Sequence, residues 1–175
     1  MTTRPTPLVT AVLAALLAAA APAEDKKEKP DTTKIPKAVM TTLTTRFPKA
    51  EIVKWTEETE DGKKVYDIEF KMGDVAHEAD IFEDGTIHNW EKEVAVKDLP
   101  AAVTKAVDGK YPKATIKQAM QITEVKDKKE VAGGFEVTLE TADKKEVELT
   151  VAGDGKILED STDKKDEKKP DEKKK

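Results

Sequence analysis

The chain has no cysteine, and that absence removes a disulfide framework, a thiolate metal site and a lipidated N-terminal cysteine together. Histidine is nearly as scarce: His77 and His88 are the only two in 175 residues. A metal centre built from three or four convergent ligands of that kind has little to draw on. A Gly-rich phosphate loop, a GxSxG elbow and an HExxH helix are missing as well, and Gly133-Gly134 falls in a hairpin segment rather than between a strand and a helix. No basic patch stands out. The 31 basic and 36 acidic residues are interspersed, and the net charge of -5 favours solubility without offering nucleic acid a field of one sign. These absences argue against an enzyme, and neither a cofactor nor a metal is expected.

What is present begins with a leader. Arg4 supplies a short positive region, Leu8 to Ala21 an apolar run, and Ala21-Pro22-Ala23 a small-residue cleavage site, so residues 1–23 read as a secretory signal peptide. An uncleaved anchor is the alternative. Against it stand a run shorter than the ~20 residues a spanning helix needs and the abrupt onset of charge at Glu24. A single arginine gives no twin-arginine signal. The expectation is an exported protein, periplasmic or extracellular, with no membrane insertion after cleavage. Residues 24–33 are rich in Lys, Glu and Asp and read as a charged disordered linker, and residues 159–175 as a charged disordered tail with no apolar residue to bury.

Between these ends the pattern alternates. Tyr66, Ile68, Phe70 and Met72 take every second position with Asp67, Glu69 and Lys71 between them, the period of a strand with one buried and one wet face. Gly73-Asp74 turns the chain into a strand carrying Val75, Ala79 and Ile81, and Asp84-Gly85 signals the next hairpin. Two segments precede such strands with helical spacing: Ile35, Val39, Leu43 and Phe47, and Leu99, Val103, Val107 and Tyr111. Each follows a proline, Pro36 or Pro100, and stops before another, Pro48 or Pro112. The segments align without a gap at both prolines, which suggests an internal repeat. The expected fold class is therefore α+β, with two tandem units at residues 34–92 and 98–158. Each would be an N-terminal helix packed on a three- to four-stranded antiparallel sheet. In the second, Val125 to Gly134 is expected to be the longest and loosest loop.

A helix opened by Ile35-Pro36 or Leu99-Pro100 and closed by an aromatic-Pro pair, then Tyr66-x-Ile68-x-Phe70 or Phe135-x-Val137-x-Leu139 and an Asp-Gly hairpin, resembles the PepSY-like domain of the group related to β-lactamase inhibitory proteins. The resemblance implies a helix packed on an antiparallel sheet, often in tandem, exported, without catalytic residues, and suspected of binding or inhibiting other proteins. The absence of cysteine departs from the disulfide-bearing inhibitors.

His77 shares parity with Ala79 and Ile81 while His88 opposes Ile87, so the two histidines should point to opposite faces of the sheet and form no metal site. The carboxylates Glu57, Glu58, Asp80 and Asp84 read as solvated edge charges. If Ile81 and Ile87 face the helix, strict alternation sends Phe82, His88 and Trp90 to the other face. Trp55 joins them if Ile52 points inward and is buried if Val53 does. An aromatic group on a polar sheet face marks a contact surface. Trp55, Phe82, His88 and Trp90 are thus the candidate partner-binding residues, for a protein or peptide and not for nucleic acid. Packing of this face within the molecule is the competing reading for them. A structural envelope protein without a specific ligand, or a metal-binding protein, are the alternatives for the whole chain.

Overall fold

The computed structural model describes residues 29–60 and 62–163. The signal-peptide reading, most of the charged linker and residues 164–175 of the tail lie outside the described residues. Eight strands follow the chain in order: β1 (Glu51–Glu60), β2 (Lys63–Met72), β3 (Val75–Phe82), β4 (Ile87–Glu93), β5 (Thr115–Lys126), β6 (Lys129–Glu140), β7 (Glu146–Val151) and β8 (Ile157–Asp160). Each is antiparallel to its sequence neighbour, and together they make a single sheet in the order β1 to β8. Two ten-residue helices, α1 (Lys37–Arg46) and α2 (Ala101–Lys110), precede β1 and β5.

This corrects the expected α+β class of two tandem helix-on-sheet units. The class is mainly β, because β4 and β5 pair continuously, Asn89 to Glu93 with Glu124 to Met120. Two separate sheets would each have left a strand edge there with unpaired N–H and C=O groups. Pairing β4 to β5 satisfies both edges at once, and the short link between β4 and α2 does not part the sheet.

The helices form where the spacing places them. Val39 and Leu43 of α1 are fully buried, flanked by Ile35 and Phe47 just outside it, and Val103 and Val107 of α2 repeat the arrangement with Leu99. Pro36 and Pro100 occupy the N-cap positions with φ of -55° and -56°. There proline fixes φ while ψ stays extended, and it forfeits no intrahelical bond. The glycines of two turns bring loops against helix backbone. Gly155, at φ +90°, lies where an added Cβ would sit 2.6 Å from the Ala102 carbonyl oxygen, and at Gly85 the Thr42 hydroxyl donates to the carbonyl at 2.7 Å.

Both helices cover one face. Ile68, Phe70, Ala79 and Ile81 pack under α1, and Val137, Leu139, Leu149 and Val151 under α2. The segment expected to be a loose loop after Val125 is instead a two-residue hairpin turn: Asp127 and Lys128 take φ of 52° and 61°, and Lys126 pairs with Lys129. Two positive-φ residues make the turn whose twist suits flanking strands, so the ladder runs to its tip.

Candidate functional site

Two β-bulges decide which side chains reach the face that no helix covers. Between β1 and β2 the register skips Val53, so that Ile52 and Trp55 both turn toward the helix side and Val53 stands exposed. Between β3 and β4 the register skips His88: Ile81 pairs with Ile87, Asp80 with Asn89, and Ala79 with Trp90. One extra residue reverses the alternation beyond it. Trp90 therefore lies on the helix side, 5.8 Å from the Phe47 ring in an edge-to-face contact, with the Arg46 guanidinium over it.

The four candidate partner-binding residues are thus divided between the two faces. Trp55 packs beside Tyr66 under the helix side and its indole N–H donates to the Asp31 carbonyl at 3.0 Å. Phe82 and His88 remain on the uncovered face, edge to face with ring centroids 5.3 Å apart, and the Lys63 ammonium lies over the Phe82 ring. His77 is buried on the helix side, stacked on Phe70 with Nδ1 3.1 Å from the Val75 carbonyl. The two histidines do not meet.

The uncovered face is not flat. A cavity of about 90 Å³ beside His88 is lined by residues of β4, β5 and β8, among them Glu91, Ile122 and Leu158. Strands four positions apart in the sheet share its wall, so the face is concave. Its curl shelters Val65, Met120 and Ile122, which are buried yet belong to neither helix-side core. Leu158 is 46% exposed at the rim.

The same concavity holds carboxylates. Asp67 of β2, Glu78 and Asp80 of β3, Glu91 of β4 and Glu136 of β6 all project to it. Asp67, Asp80 and Glu91 are buried, which corrects the expectation of Asp80 as a solvated edge charge. Asn89 donates to Asp80 at 2.9 Å and the Thr56 hydroxyl to Asp67 at 3.4 Å. Burial pushes the Asp67 carboxyl up to about 6, a nearby Glu78 hydrogen bond opposing it. Burial raises Glu78 and Glu91 as well, with the charges of Asp67, Glu91 and Glu136 adding to it at Glu78 and those of Glu136, Asp80 and Asp67 at Glu91. The Lys54 ammonium, whose charge acts on Asp67, is paired with Glu69 at 2.7 Å. The sequence did signal these residues, as the polar members of alternating strands. Nothing in it showed that their side of the sheet curls inward.

Among solved structures the fold is shared with a DUF2874 family protein from Bacteroides uniformis (14% identity, TM-score 0.54, covering 71% of this chain and 87% of that one). It is shared equally with a "putative periplasmic" protein from Bacteroides eggerthii (12% identity, TM-score 0.55, 72% and 87%). A BLIP-like protein from Bacteroides fragilis is similar at 21% identity and TM-score 0.49, covering 75% and 89%. Among curated proteins no sequence match is found. The family described as "Putative beta-lactamase-inhibitor-like, PepSY-like" matches residues 23–87 and again 64–159. Those matches span most of the chain, which belongs to this PepSY-like family.

Proposed function

We propose that this chain is an exported, non-enzymatic module that binds a protein or peptide partner in the concave face of its sheet. The observation that carries the reading is the Phe82–His88 pair, an edge-to-face aromatic contact left half-buried on a face that no helix covers. Rigid aromatic groups give large contact area at small entropic cost, and they concentrate binding energy when they sit at the rim of an apolar pocket. Ile122 and the exposed Leu158 supply that pocket. Glu124 and Glu159, which line the same pocket, favour a partner that presents Lys or Arg over an acidic one. The family's inhibitor-like description and the periplasmic relative from Bacteroides eggerthii support export and a protein target.

The test is a titration of the full chain with a panel of fluorescent peptides, each holding an aromatic or aliphatic residue between lysines, read by anisotropy. Saturable binding that weakens about tenfold or more in Phe82→Ala and in His88→Ala, with melting temperatures close to the parent's, is the expected result. Equal binding in the parent and both variants would remove the face from the interaction. If no basic peptide saturates, the structural-protein reading replaces this one.

A further inference from the structure

We propose that Asp67, Glu78 and Asp80, completed by Glu91, form a site for a divalent cation of the calcium class. The first observation is geometric. One carboxylate oxygen from each of Asp67, Glu78 and Asp80 lies within 4.8 Å of the others. Two oxygens bound to one Ca²⁺ at about 2.4 Å are separated by at most about 4.8 Å, so each pair of these oxygens meets the spacing that a shared ion requires.

The second observation is independent of that clustering. Glu91 is only 5% exposed, and its Oε2 accepts a hydrogen bond from no donor. Asp67 is 3% exposed and its Oδ1 is likewise without a donor. A buried carboxylate oxygen with nothing to accept is among the costliest groups a fold can carry. Glu91 sits directly across the β3–β4 ladder from Glu78, on the same side of the sheet, and it feels the charges of Glu136, Asp80 and Asp67. Glu91 thus brings a buried, unpartnered carboxylate oxygen to the strand beside the trio.

The donor chemistry sets the class. All four groups are hard carboxylate oxygens, and neither histidine joins them, since His77 lies on the opposite face and His88 packs on Phe82. Zinc favours nitrogen and sulfur, whereas calcium takes six to eight oxygens in adaptable geometry. The expectation of no metal rests on two histidines that face opposite ways with Glu78, Asp80 and Glu91 near them, and Glu78 and Asp80 converge with Asp67 without either histidine. A bound cation would also neutralise the floor of the face proposed for the partner.

The full chain, stripped with EDTA and dialysed at about pH 7.5, is titrated with CaCl₂ by calorimetry, and its melting temperature is followed with CaCl₂, MgCl₂ and ZnCl₂. One saturable calcium equivalent and a calcium-dependent rise in melting temperature are expected. Glu91→Gln and the double variant Asp67→Asn, Glu78→Gln should each bind calcium at least about tenfold more weakly. Both should melt higher than the parent in EDTA, because the amides remove like-charge repulsion, and that rise excludes misfolding as the cause of lost binding. No saturable heat in the parent at millimolar calcium would overturn the site, leaving a cluster held by protons alone. Undiminished binding in the double variant would move the ion elsewhere, and a response to zinc but not calcium would overturn the class.

Discussion

Asp160 shows what a buried carboxylate of this fold looks like when the chain supplies its partners. Lys110 Nζ lies 2.6 Å from Oδ2, the Tyr111 hydroxyl donates to the same oxygen at 2.8 Å, and the Thr162 N–H and hydroxyl donate to Oδ1 at 2.8 and 2.6 Å. Burial pushes this acid up, but the Lys110 ammonium and the Thr162 hydrogen bonds outweigh burial and hold it at about 2. A carboxylate depressed on folding stabilises the native state at every pH above its unfolded value of 3.8, and the contribution is lost as pH falls through 2. Asp160→Asn should therefore cost about 1 to 3 kcal/mol in urea unfolding at neutral pH. The gap between variant and parent should close in acid. A gap of unchanged size at about pH 2 would show that the lost stability was not ionic. In the sequence Asp160 is one charge in a charged tail, and its partners Lys110 and Tyr111 lie about fifty positions earlier, so nothing local distinguishes it. Asp67 and Glu91 are comparably buried, yet an oxygen of each has no donor, and this contrast makes them candidates for a cation.

The elements divide into those written locally and those written by a partner. The two helices were legible because apolar spacing and flanking prolines lie within a dozen residues. The hairpins at Asp84-Gly85 and Asp154-Gly155 were legible because a left-handed turn residue is a local demand. The bulges at Val53 and His88 were not, since a bulge exists only relative to the strand opposite and no residue type announces it. That is why strict alternation sends Trp90 to the uncovered face while the bulge at His88 returns it to the helix side. The turn glycines do more than reverse the chain. Gly155→Ala meets both an unfavourable φ and the Ala102 carbonyl at 2.6 Å, whereas Gly73, at φ 65°, has nothing within 4 Å of an added Cβ. Gly155→Ala should thus destabilise by at least about 1 kcal/mol more than Gly73→Ala, compared by thermal melting. Equal losses would mean that the turn and α2 can separate without cost.

At the scale of the whole molecule, two cores lie under two helices, and the five residue pairs between β4 and β5 join them. The Arg46–Glu130 ion pair at 2.7 Å adds a second link, from the end of α1 to the tip of the β5–β6 hairpin, though at that exposure it contributes little. Similar segments read in sequence suggested separate bodies because periodicity reports what each strand buries, not which strand it pairs with. The continuous ladder argues for cooperative unfolding: freeing either half would expose the edge of β4 or β5 and open the concavity where Met120 and Ile122 are sheltered. The two tryptophans, Trp55 and Trp90, both lie in β1 to β4, so indole fluorescence reports that half alone while far-ultraviolet circular dichroism reports all eight strands. In urea the two signals should give coincident transitions with one midpoint. A fluorescence midpoint displaced from the dichroism midpoint would show that the halves unfold separately and that the β4–β5 ladder is too weak to couple them.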